Sequence, residues 1–485
     1  MHLRSMLLAA LTLAASAGAG VSVGAAADYY VAPLGAVLSC PATGTQACPW
    51  ASVAAAFGSK KIVGGDTILL MDGYHGALDF KYLMFETAVK IQSMTARNAQ
   101  VASINFSDST KNFSLRNLKI WRPDSDTGTG YLIRAYSGSS YLTFENLEMR
   151  SRADSINHLN WSQARWVAVA TTAFDLRGSY NIVRNNTITG VSGGIYAGRN
   201  SLVENNIIDG FSNDGMKGVS ESTFRNNVVK NSFKVNPDYH RDGFQSYTPG
   251  PPITNLVLEG NAILQWTYGT DHPLKAPLQG VGMFDGYYDD LVIRNNLIAT
   301  QHSHGISVYG TRRATIVNNT VVNLDGIVAT VPWIKVAPHY DGTPSRDVLV
   351  ANNLAMQFQG IPSTENNVVF TANSVILNPA QAFEGAVALN FRPLATSGFI
   401  DTGDASAAPP LDILGAARPT GAGPERGAYE IAGIGGHTGG SGSTGSTGIG
   451  GSTGIGGSTG ASGGDGMTPP ATASGAKFVK VDKKP

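Results

Sequence analysis

Three short stretches of this sequence follow one pattern: IVRNNTI at residues 182–188, LVENNII at 202–208 and TFRNNVV at 223–229. Each has apolar or β-branched residues on both sides of an Asn-Asn pair, and the copies lie about 20 residues apart. Asn tolerates the left-handed backbone conformation that a sharp bend requires, and the flanking apolar residues suit short strands. The pattern therefore predicts the coils of a solenoid, with two strands around each Asn bend and equivalent Asn side chains bonded from coil to coil.

Looser copies of this pattern extend over much of the chain, namely SLRNLKI at 114–120, TFENLEM at 143–149, VLEGNAI at 257–263, VIRNNLI at 292–298, IVNNTVV at 316–322 and LVANNLA at 349–355. The strand direction repeats in every coil, so the sheets must be parallel and each coil rises by roughly 4.8 Å. A leucine-rich repeat would require a regular Leu framework, which this sequence lacks. We therefore predict an all-β protein, a single-stranded right-handed parallel β-helix.

The two ends of the chain differ from the repeats. Residues 1–27 have a weakly basic start, a short apolar core and a run of small residues, which predicts a cleaved export signal and a secreted or periplasmic protein. Residues 432–485 consist largely of Gly, Ser and Thr before a short basic tail, which predicts a disordered linker. The β-helix domain is therefore expected over residues 28–431.

The start of the predicted domain has two further features. SVAAAF at residues 52–57, followed by Gly58, predicts a short capping helix that covers the first coil of the solenoid. The chain has two cysteines, Cys40 and Cys48, and their closeness downstream of an export signal predicts one disulfide. Two free thiols are the alternative.

The composition limits the partners that this chain can have. Lys and Arg total 35 and Asp and Glu total 35, so charge gives no reason to expect a nucleic acid or an anionic membrane. No later stretch reaches the roughly 18 unbroken apolar residues of a membrane span, which argues against membrane insertion. The outer face of a β-helix suits a long linear polymer, because successive coils can match successive units. A polysaccharide is therefore the expected partner, bound by a monomer.

A second repeat precedes the Asn bends and begins with Gly and an apolar residue. Its copies are GIYAG at 194–198, GMKGV at 215–219, GFQSY at 243–247, GMFDG at 282–286, GISVY at 305–309 and GIVAT at 326–330. Strand alternation assigns these side chains to opposite faces. The side chains predicted to point inward are Ile195, Met216, Phe244, Met283, Ile306 and Ile327. Those predicted to form one outward column are Tyr196, Lys217, Gln245, Phe284 and Ser307.

The densest polar cluster of the chain surrounds two of these copies, at residues 213–247. Asp214 and Asp242 immediately precede their glycines, so their carboxylates are expected on adjacent coils, about one strand spacing apart. His240 and Arg241 stand in the loop before the second copy. Asp before Gly also occurs in ordinary turns, where the carboxylate only caps backbone donors, so the cluster alone does not separate a site from a turn.

Three features give this sequence a resemblance to the pectate-lyase-like β-helix superfamily, which includes pectate lyases, alginate lyases and chondroitinase B. They are the opening from YYVAP at 29–33 to GGDTILLMDGYHG at 64–76, the Asn-Asn repeats, and the closing GPERGAYE at 423–430. The resemblance implies the fold more strongly than the reaction, because this superfamily hosts lyases, hydrolases, epimerases and binding modules. Its lyases use a Lys or Arg base with Ca²⁺ or a basic residue.

We therefore predict a polysaccharide lyase that cleaves an acidic, uronate-containing polymer by β-elimination. Lys217 or His240 is predicted to be the catalytic base, and Arg241 to neutralise the substrate carboxylate. Asp214 and Asp242 are predicted to hold Ca²⁺, a cation that prefers oxygen ligands. The residues predicted to bind the sugar chain are Tyr196, Gln245, Tyr247 and Arg312.

Two other functions remain open at this point. A glycoside hydrolase on the same fold would use Asp214, Asp242 or Asp285 as acid and base, and would need two carboxyl groups with unequal pKa values. A carbohydrate-binding or surface protein would need no catalytic group, and the Gly/Ser/Thr-rich segment would suit a tether. Aromatic residues near the polar cluster suit sugar stacking in all three cases.

Overall fold

The computed structural model describes residues 25–247, 250–323, 330–360 and 362–431. Most of the predicted export signal, the whole predicted linker and Ile327 of the predicted inward set lie outside these described residues. Within them, the chain winds repeatedly through three long parallel sheets, which we call first, second and third in the order in which a coil visits them. The predicted all-β solenoid is confirmed.

Each sheet is built from short strands that pair with the equivalent strands of neighbouring coils. The first sheet contains Asp28–Val31, Thr67–Leu70, Met84–Ser93, Lys111–Arg116, Ser140–Glu145, Ile182–Arg184, Leu202–Glu204, Thr223–Arg225, Ile253–Thr254, Val257–Glu259, Tyr288–Asp289, Val292–Arg294, Thr311–Val317, Arg346–Ala351 and Val368–Thr371. The second contains Gly73–Tyr74, Ala99–Val101, Lys119–Ile120, Glu148–Arg150, Thr187–Val191, Ile207–Phe211, Val228–Ser232, Ala262–Leu264, Leu297–Ala299, Thr320–Val322, Leu354–Ala355 and Ser374–Val375. The third contains Leu78–Phe80, Ile104–Phe106, Tyr131–Ala135, Thr172–Leu176, Ile195–Ala197, Met216–Lys217, Asp242–Gln245, Gln279–Met283, His304–Tyr309, Trp333–Ala337 and Gln357–Gln359.

The remaining regular elements of the described residues are short. A two-stranded antiparallel sheet joins Phe383–Gly385 to Asn390–Pro393. The helical segments are Val53–Gly58, Ala153–Asn160, Gln163–Val169, Pro379–Ala382 and Ala386–Ala388.

The first helix confirms the predicted cap. The Ser52 hydroxyl accepts a hydrogen bond from the Ala55 backbone N–H at 3.1 Å, which satisfies a free donor at the helix start. Phe57 at the helix end packs against Phe80 and Phe113 of the first coils, with ring centroids 5.8 and 5.9 Å apart. The predicted disulfide between Cys40 and Cys48 is also present, with Cα atoms 5.8 Å apart.

The Asn-Asn pairs form the predicted bend and ladder, with one residue of each pair in each role. The first Asn has a left-handed backbone, with φ of 58° at Asn185, 56° at Asn205 and 56° at Asn226. The second Asn is buried, and its Nδ2 donates to Oδ1 of the equivalent Asn on the next coil at 2.8 to 3.0 Å. This ladder consists of Asn186, Asn206, Asn227, Asn261, Asn296, Asn319, Asn353 and Asn373.

We expect Asn227→Ala to lower the free energy of unfolding by about 2 kcal/mol, because each bond that it breaks leaves a buried group unsatisfied. Asn227 accepts from the Asn206 side chain and donates to the Val203 carbonyl and to Asn261, all at 2.9 to 3.0 Å. Urea unfolding measures the loss. The control is Asn98→Ala, which removes one exposed bond to Asp72. Equal shifts of the two midpoints would contradict a stabilising role for the ladder.

The closing GPERGAYE segment packs along the Asn bends of the last coils. Arg418, just before it, donates to the Asn295 side chain at 3.1 Å and forms a fully buried ion pair with Glu430 at 2.8 Å. Further along, Asn318 donates to the Glu425 carbonyl and the Gly427 N–H donates to the Asn352 carbonyl. The segment and the preceding Arg418 therefore satisfy polar groups on the first Asn of three successive pairs.

Candidate functional site

The outer face of the third sheet carries a column of side chains in direct register. Asp175 pairs with Tyr196, Tyr196 with Lys217, and Lys217 with Gln245, each on the next coil. The column continues from Gln245 through Gly282 and Ser307 to Lys335. The predicted inward residues Ile195, Met216, Phe244, Met283 and Ile306 are all buried.

One position of the predicted column is wrong. Gly282, and not Phe284, is the partner of Gln245, because Val281 pairs with Phe244 and the glycine equivalent to Gly243 is therefore Gly280. The sequence GVGMFDG contains two glycines, Gly280 and Gly282, that are each followed by an apolar residue. The predicted register starts from Gly282, whereas the structure starts from Gly280. Phe284 instead lies beside Gly282, where a Cβ atom would come within 3.1 Å of its ring.

The glycines of the repeat hold the third sheet close to the second. A Cβ atom on Gly215 would lie 2.3 Å from the Val229 side chain, and one on Gly243 would lie 2.2 Å from the Ile263 side chain. Only a residue without a side chain fits such an approach. Asp214, which directly precedes Gly215, is also buried, and its Oδ2 contacts Nζ of Lys217 at 2.7 Å.

A cavity of about 380 Å³ lies over this part of the column. Four residues predicted to act on or bind the substrate line it: Tyr196, Lys217, Gln245 and Tyr247. Its lining also includes Asp175, together with Arg177 and Arg199, two arginines that no sequence pattern marks as site residues. The Arg199 side chain is exposed and has no carboxylate partner among the described residues, so it adds positive charge to the cavity.

Lys217 is held by a buried carboxylate beneath it. Its Nζ lies 2.7 Å from Oδ2 of Asp214, whose side chain is 3% exposed, whereas the Lys217 side chain is 38% exposed. The same Nζ lies 5.0 Å from the centroid of the Tyr196 ring. The ammonium group is therefore fixed in position and still open to a ligand on the groove side.

His240 and Asp242 form a second pair beside the first. His240 Nδ1 lies 3.0 Å from Oδ2 of Asp242, and the side chains are 53% and 0% exposed. The backbone N–H of Asp242 also donates a hydrogen bond to Oδ1 of Asp214 at 3.1 Å. No described donor meets hydrogen-bond geometry at either Asp242 carboxylate oxygen. The imidazole is thus anchored through Nδ1, while Nε2 makes no hydrogen bond to the described residues and faces outward.

The two pairs influence each other's protonation. Contact with Asp242 raises the pKa of His240 above its ordinary 6.5, and the charge of Asp214 adds to this, while burial and Lys217 oppose it. Burial raises the pKa of Asp242, although the His240 contact and the charge of Lys217 oppose that rise. The ionisation of His240 is therefore linked to that of Asp242.

Tyr196 presents its ring and not its hydroxyl to the groove. The hydroxyl is buried without a hydrogen-bond partner among the described residues and sits over Gly193. Burial, together with the charge of Asp214, raises the pKa of this hydroxyl. The phenol therefore stays protonated at ordinary pH, and the ring face supports Lys217.

Two of the predicted residues lie away from this cluster. Arg241 is buried, and its guanidinium donates to the backbone carbonyls of Phe233 and Asn236, because the loop before Asp242 turns this side chain inward. Arg312 lies on the first sheet, where it forms a two-pronged ion pair with Asp289. The structure therefore gives Arg241 a role in shaping the loop, and it does not bring Arg312 to the groove.

Three side chains of the cluster carry atoms that could bind a metal ion. One ligand atom each from Asp214, His240 and Asp242 lies within 4.8 Å of the others. Ca²⁺ takes six to eight oxygen ligands, whereas this set offers two carboxylates and a nitrogen, and Lys217 already neutralises one of the carboxylates. In this arrangement the three side chains do not supply the ligand set that Ca²⁺ prefers, and calcium binding stays a prediction.

The next strands extend the polar face with residues that the sequence reasoning did not assign. Gln279 pairs with Asp242, and its buried Oε1 has no hydrogen-bond partner among the described residues. His304 bonds Ser307 at 2.8 Å, and burial together with His302 and Lys335 lowers its pKa to about 4.

Comparisons with known proteins support the fold. A family model described as a right handed beta helix region matches residues 102–321, which include the strands of the candidate site. With the three parallel sheets, this match confirms the predicted right-handed parallel β-helix. No curated protein sequence matches this chain.

Several solved structures resemble this one at low identity. A pectate lyase, Pel9A, is 16% identical, with 83% of this chain and 96% of that chain covered and a TM-score of 0.43. The A-module of the mannuronan C-5 epimerase AlgE6 from Azotobacter vinelandii is 14% identical, covers 67% and 93%, and has a TM-score of 0.43. A mannuronic acid specific family 6 lyase from human gut microbiota is 13% identical, covers 72% and 83%, and has a TM-score of 0.39. These likenesses carry no argument about the reaction.

None of the helices in the described ranges is long and apolar enough to cross a membrane.

Proposed function

We propose that this protein is a polysaccharide lyase that cleaves an acidic, uronate-containing polymer by β-elimination on the outer face of the third sheet. The observation that carries the proposal is the pairing of His240 with buried Asp242, beside Lys217 fixed on Asp214. This reaction needs a base for a weakly acidic C–H group and a cation near the carboxylate that stabilises the developing negative charge. The two pairs supply one of each.

His240 is the proposed base. The buried Asp242 carboxylate lies 3.0 Å from Nδ1, so its charge favours a proton on that nitrogen and leaves the lone pair on Nε2. Nε2 removes the proton from the carbon that carries the substrate carboxylate. A group held this way by a carboxylate becomes a stronger base, since Asp242 raises the pKa of His240.

Lys217 is the proposed cation for the substrate carboxylate. When the proton leaves, its electron pair forms a double bond to the neighbouring carbon, and the bond from that carbon to the glycosidic oxygen breaks. The departing oxygen takes a proton from solvent, so the overall reaction adds no water. The carboxylate carries the negative charge in between, and a fixed ammonium group stabilises it without having to reorganise.

The carboxylate geometry argues against the hydrolase alternative. Asp214 is nearly buried under Lys217, and Asp242 is fully buried behind His240. A hydrolase needs one carboxyl group at the glycosidic oxygen and another at the sugar ring or its attacking water, and both must reach the substrate. Neither carboxylate meets that requirement, and Asp285, although exposed, is a single carboxyl group and cannot supply both.

A panel of uronate-containing and neutral polysaccharides, each with and without a chelator, tests the proposal. We expect unsaturated-uronate absorbance and reducing ends to rise together on an acidic polymer, and to do so equally with chelator. Reducing ends without the absorbance would indicate a hydrolase. Binding without any product would indicate a binding protein. Either of these two results would overturn the proposal. Loss of activity with chelator would overturn the metal-free mechanism.

The pH dependence of kcat/KM should report the His240 pair. His240 must be neutral to accept a proton, so the rate should fall as the pH drops through its pKa, which lies above 6.5. Asp242→Asn removes the negative charge that raises this pKa, so the acid limb should move to lower pH while the maximal rate falls. Steady-state rates measured between about pH 4 and 9 locate the acid limb in the wild type and in the variant. An acid limb that stays in place would contradict the assigned pair.

A further inference from the structure

We propose that a second cavity on the third sheet, built around Arg134, is a binding subsite for a uronate unit of the same polysaccharide chain. This inference rests on the proposed function, because it assumes that the acidic polymer crosses the groove at Lys217. The polymer would then extend from Lys217 toward the N-terminal coils.

The register connects the two places. Arg134 pairs with Asp175, which pairs with Tyr196, which pairs with Lys217. Arg134 therefore stands three coils before Lys217 in the same outward column, about 14 Å away at the usual strand spacing. In the other direction the column continues from Arg134 through Asn105 to Asp79. A polymer lying along the axis of the solenoid would pass over both cavities.

The cavity at these coils has a volume of about 550 Å³. Three cationic side chains line it, from Lys81, Arg122 and Arg134, together with the carboxylates Asp79 and Asp108. Asp79 and Asp108 already accept hydrogen bonds, from the Asn105 side chain at 2.9 Å and the Gly138 N–H at 2.8 Å. Arg122 is paired with Asp126 at 2.9 Å, whereas Lys81 has no carboxylate within ion-pair distance among the described residues and is left for an acidic ligand.

Arg134 is arranged to receive a carboxylate. Its guanidinium carbon lies 4.7 Å from the ring centroids of both Tyr131 and Tyr136, so two aromatic faces hold the planar group. It makes one ion-pair contact, from Nε to Asp175 at 3.4 Å, and no hydrogen bond to the described residues. A planar guanidinium with its donors free binds a carboxylate in two-pronged fashion, and stacking fixes its orientation beforehand.

The tyrosines around Arg134 orient its guanidinium and also suit contact with a sugar ring. Tyr136 is partly exposed at the cavity wall and offers a ring edge and face next to Arg134. Aromatic side chains provide large apolar contact at low entropic cost and carry a polar end for hydrogen bonding. A sugar ring with a carboxylate matches this combination of a flat apolar surface and a fixed cation better than an inorganic anion does.

The test is the dependence of KM on oligosaccharide length, measured with size-fractionated oligomers of the polymer that the wild-type protein cleaves best. In the wild type, KM should fall about tenfold once the oligomer is long enough to reach from Lys217 to Arg134. In Arg134→Ala that fall should disappear. Tyr136→Ala, which removes one of the two stacked rings at an exposed position, should reduce it and serves if the first variant does not fold.

Arg294→Ala is the matched control. Arg294 is also an outward, ion-paired arginine, with Nε 2.9 Å from Glu259, but it lies on the first sheet. It should keep the wild-type length dependence. If Arg134→Ala and Tyr136→Ala keep it as well, the subsite is overturned and the proposed lyase activity is not affected.

Calorimetric binding of size-fractionated oligomers of the uronate-containing polymer that the wild-type protein binds most tightly separates this inference from the proposed function. Binding of long oligomers that depends on Arg134, with no cleavage by the wild type, would support the subsite and overturn the lyase. Binding of long oligomers that is equal in the wild type and Arg134→Ala would overturn the subsite whether or not cleavage occurs. An Arg134-dependent gain that also appears with a neutral oligomer of equal length would overturn the assignment to a uronate carboxylate.

Discussion

Replacing His240 by Ala is expected to lower kcat about a thousandfold on the acidic polymer, with a smaller effect on KM. The imidazole is the only described group of the cluster that combines an outward lone pair with a carboxylate anchor, because Lys217 is tied to Asp214 and Asp242 is buried. A positioned general base contributes about this much by removing the proton in the transition state. Initial rates of unsaturated-uronate formation measure the loss.

His339→Ala is the matched control for this variant. His339 also contacts an aspartate through Nδ1, at 3.1 Å from Asp341, but it belongs to a loop after the strand Trp333–Ala337. Its replacement should leave kcat within about a factor of two. A His240→Ala variant that folds normally and keeps a rate near that of the wild type would remove His240 from the mechanism.

Replacing Lys217 by Ala is expected to lower kcat/KM about a hundredfold. The ammonium group is fixed 2.7 Å from Asp214 and lies in the wall of the cavity with Tyr196 and Gln245. Loss of a pre-organised charge that faces the developing negative charge removes stabilisation from the transition state, and the substrate carboxylate also loses a ground-state partner. Lys217→Arg should recover part of the activity, since it keeps the charge and changes only its shape.

A structural effect of this substitution must be separated from a catalytic one. Lys217→Ala leaves the carboxylate of Asp214 buried without its ion-pair partner, which destabilises the fold. Lys230→Ala breaks another Lys–Asp pair, with Asp209 at 3.2 Å on the second sheet, whose side chain is 22% exposed where that of Asp214 is 3% exposed. Thermal unfolding should therefore show a loss of stability for both variants, the larger for Lys217→Ala, and at a temperature where both are folded only Lys217→Ala should lose activity. Equal losses of activity would mean that Lys217 acts through stability alone.

The backbone architecture could be predicted because its causes are local and repeated. An Asn in a left-handed bend and an Asn in a buried ladder produce an Asn-Asn pair in many of the coils, and the structure assigns one role to each Asn. The inward and outward sets followed from strand alternation once one residue of each strand was placed. The error at Phe284 arose where two glycines, Gly280 and Gly282, offered the same local pattern and only pairing with Phe244 separates them.

Only the site residues that lie in or next to the paired strands could be predicted from the sequence. Asp214, Lys217 and Asp242 lie in or next to regular strands, so their meeting followed from the coil spacing. Arg241 stands one residue before a strand, and whether such a side chain turns out or in depends on the loop carbonyls that it finds. The cationic groups Arg177 and Arg199 follow their strands at the groove edge, where no periodic pattern distinguishes them from ordinary solvated arginines.

Digestion in water labelled with heavy oxygen tests the central claim most directly. Elimination breaks the bond between the glycosidic oxygen and the neighbouring uronate carbon, so the new reducing end keeps its original oxygen. Products reduced immediately after a short digestion and weighed by mass spectrometry should carry no label and should have an unsaturated uronate at the other new end. One labelled oxygen per cleavage, with no unsaturated end, would show that water is added and would contradict β-elimination at the His240–Lys217 site.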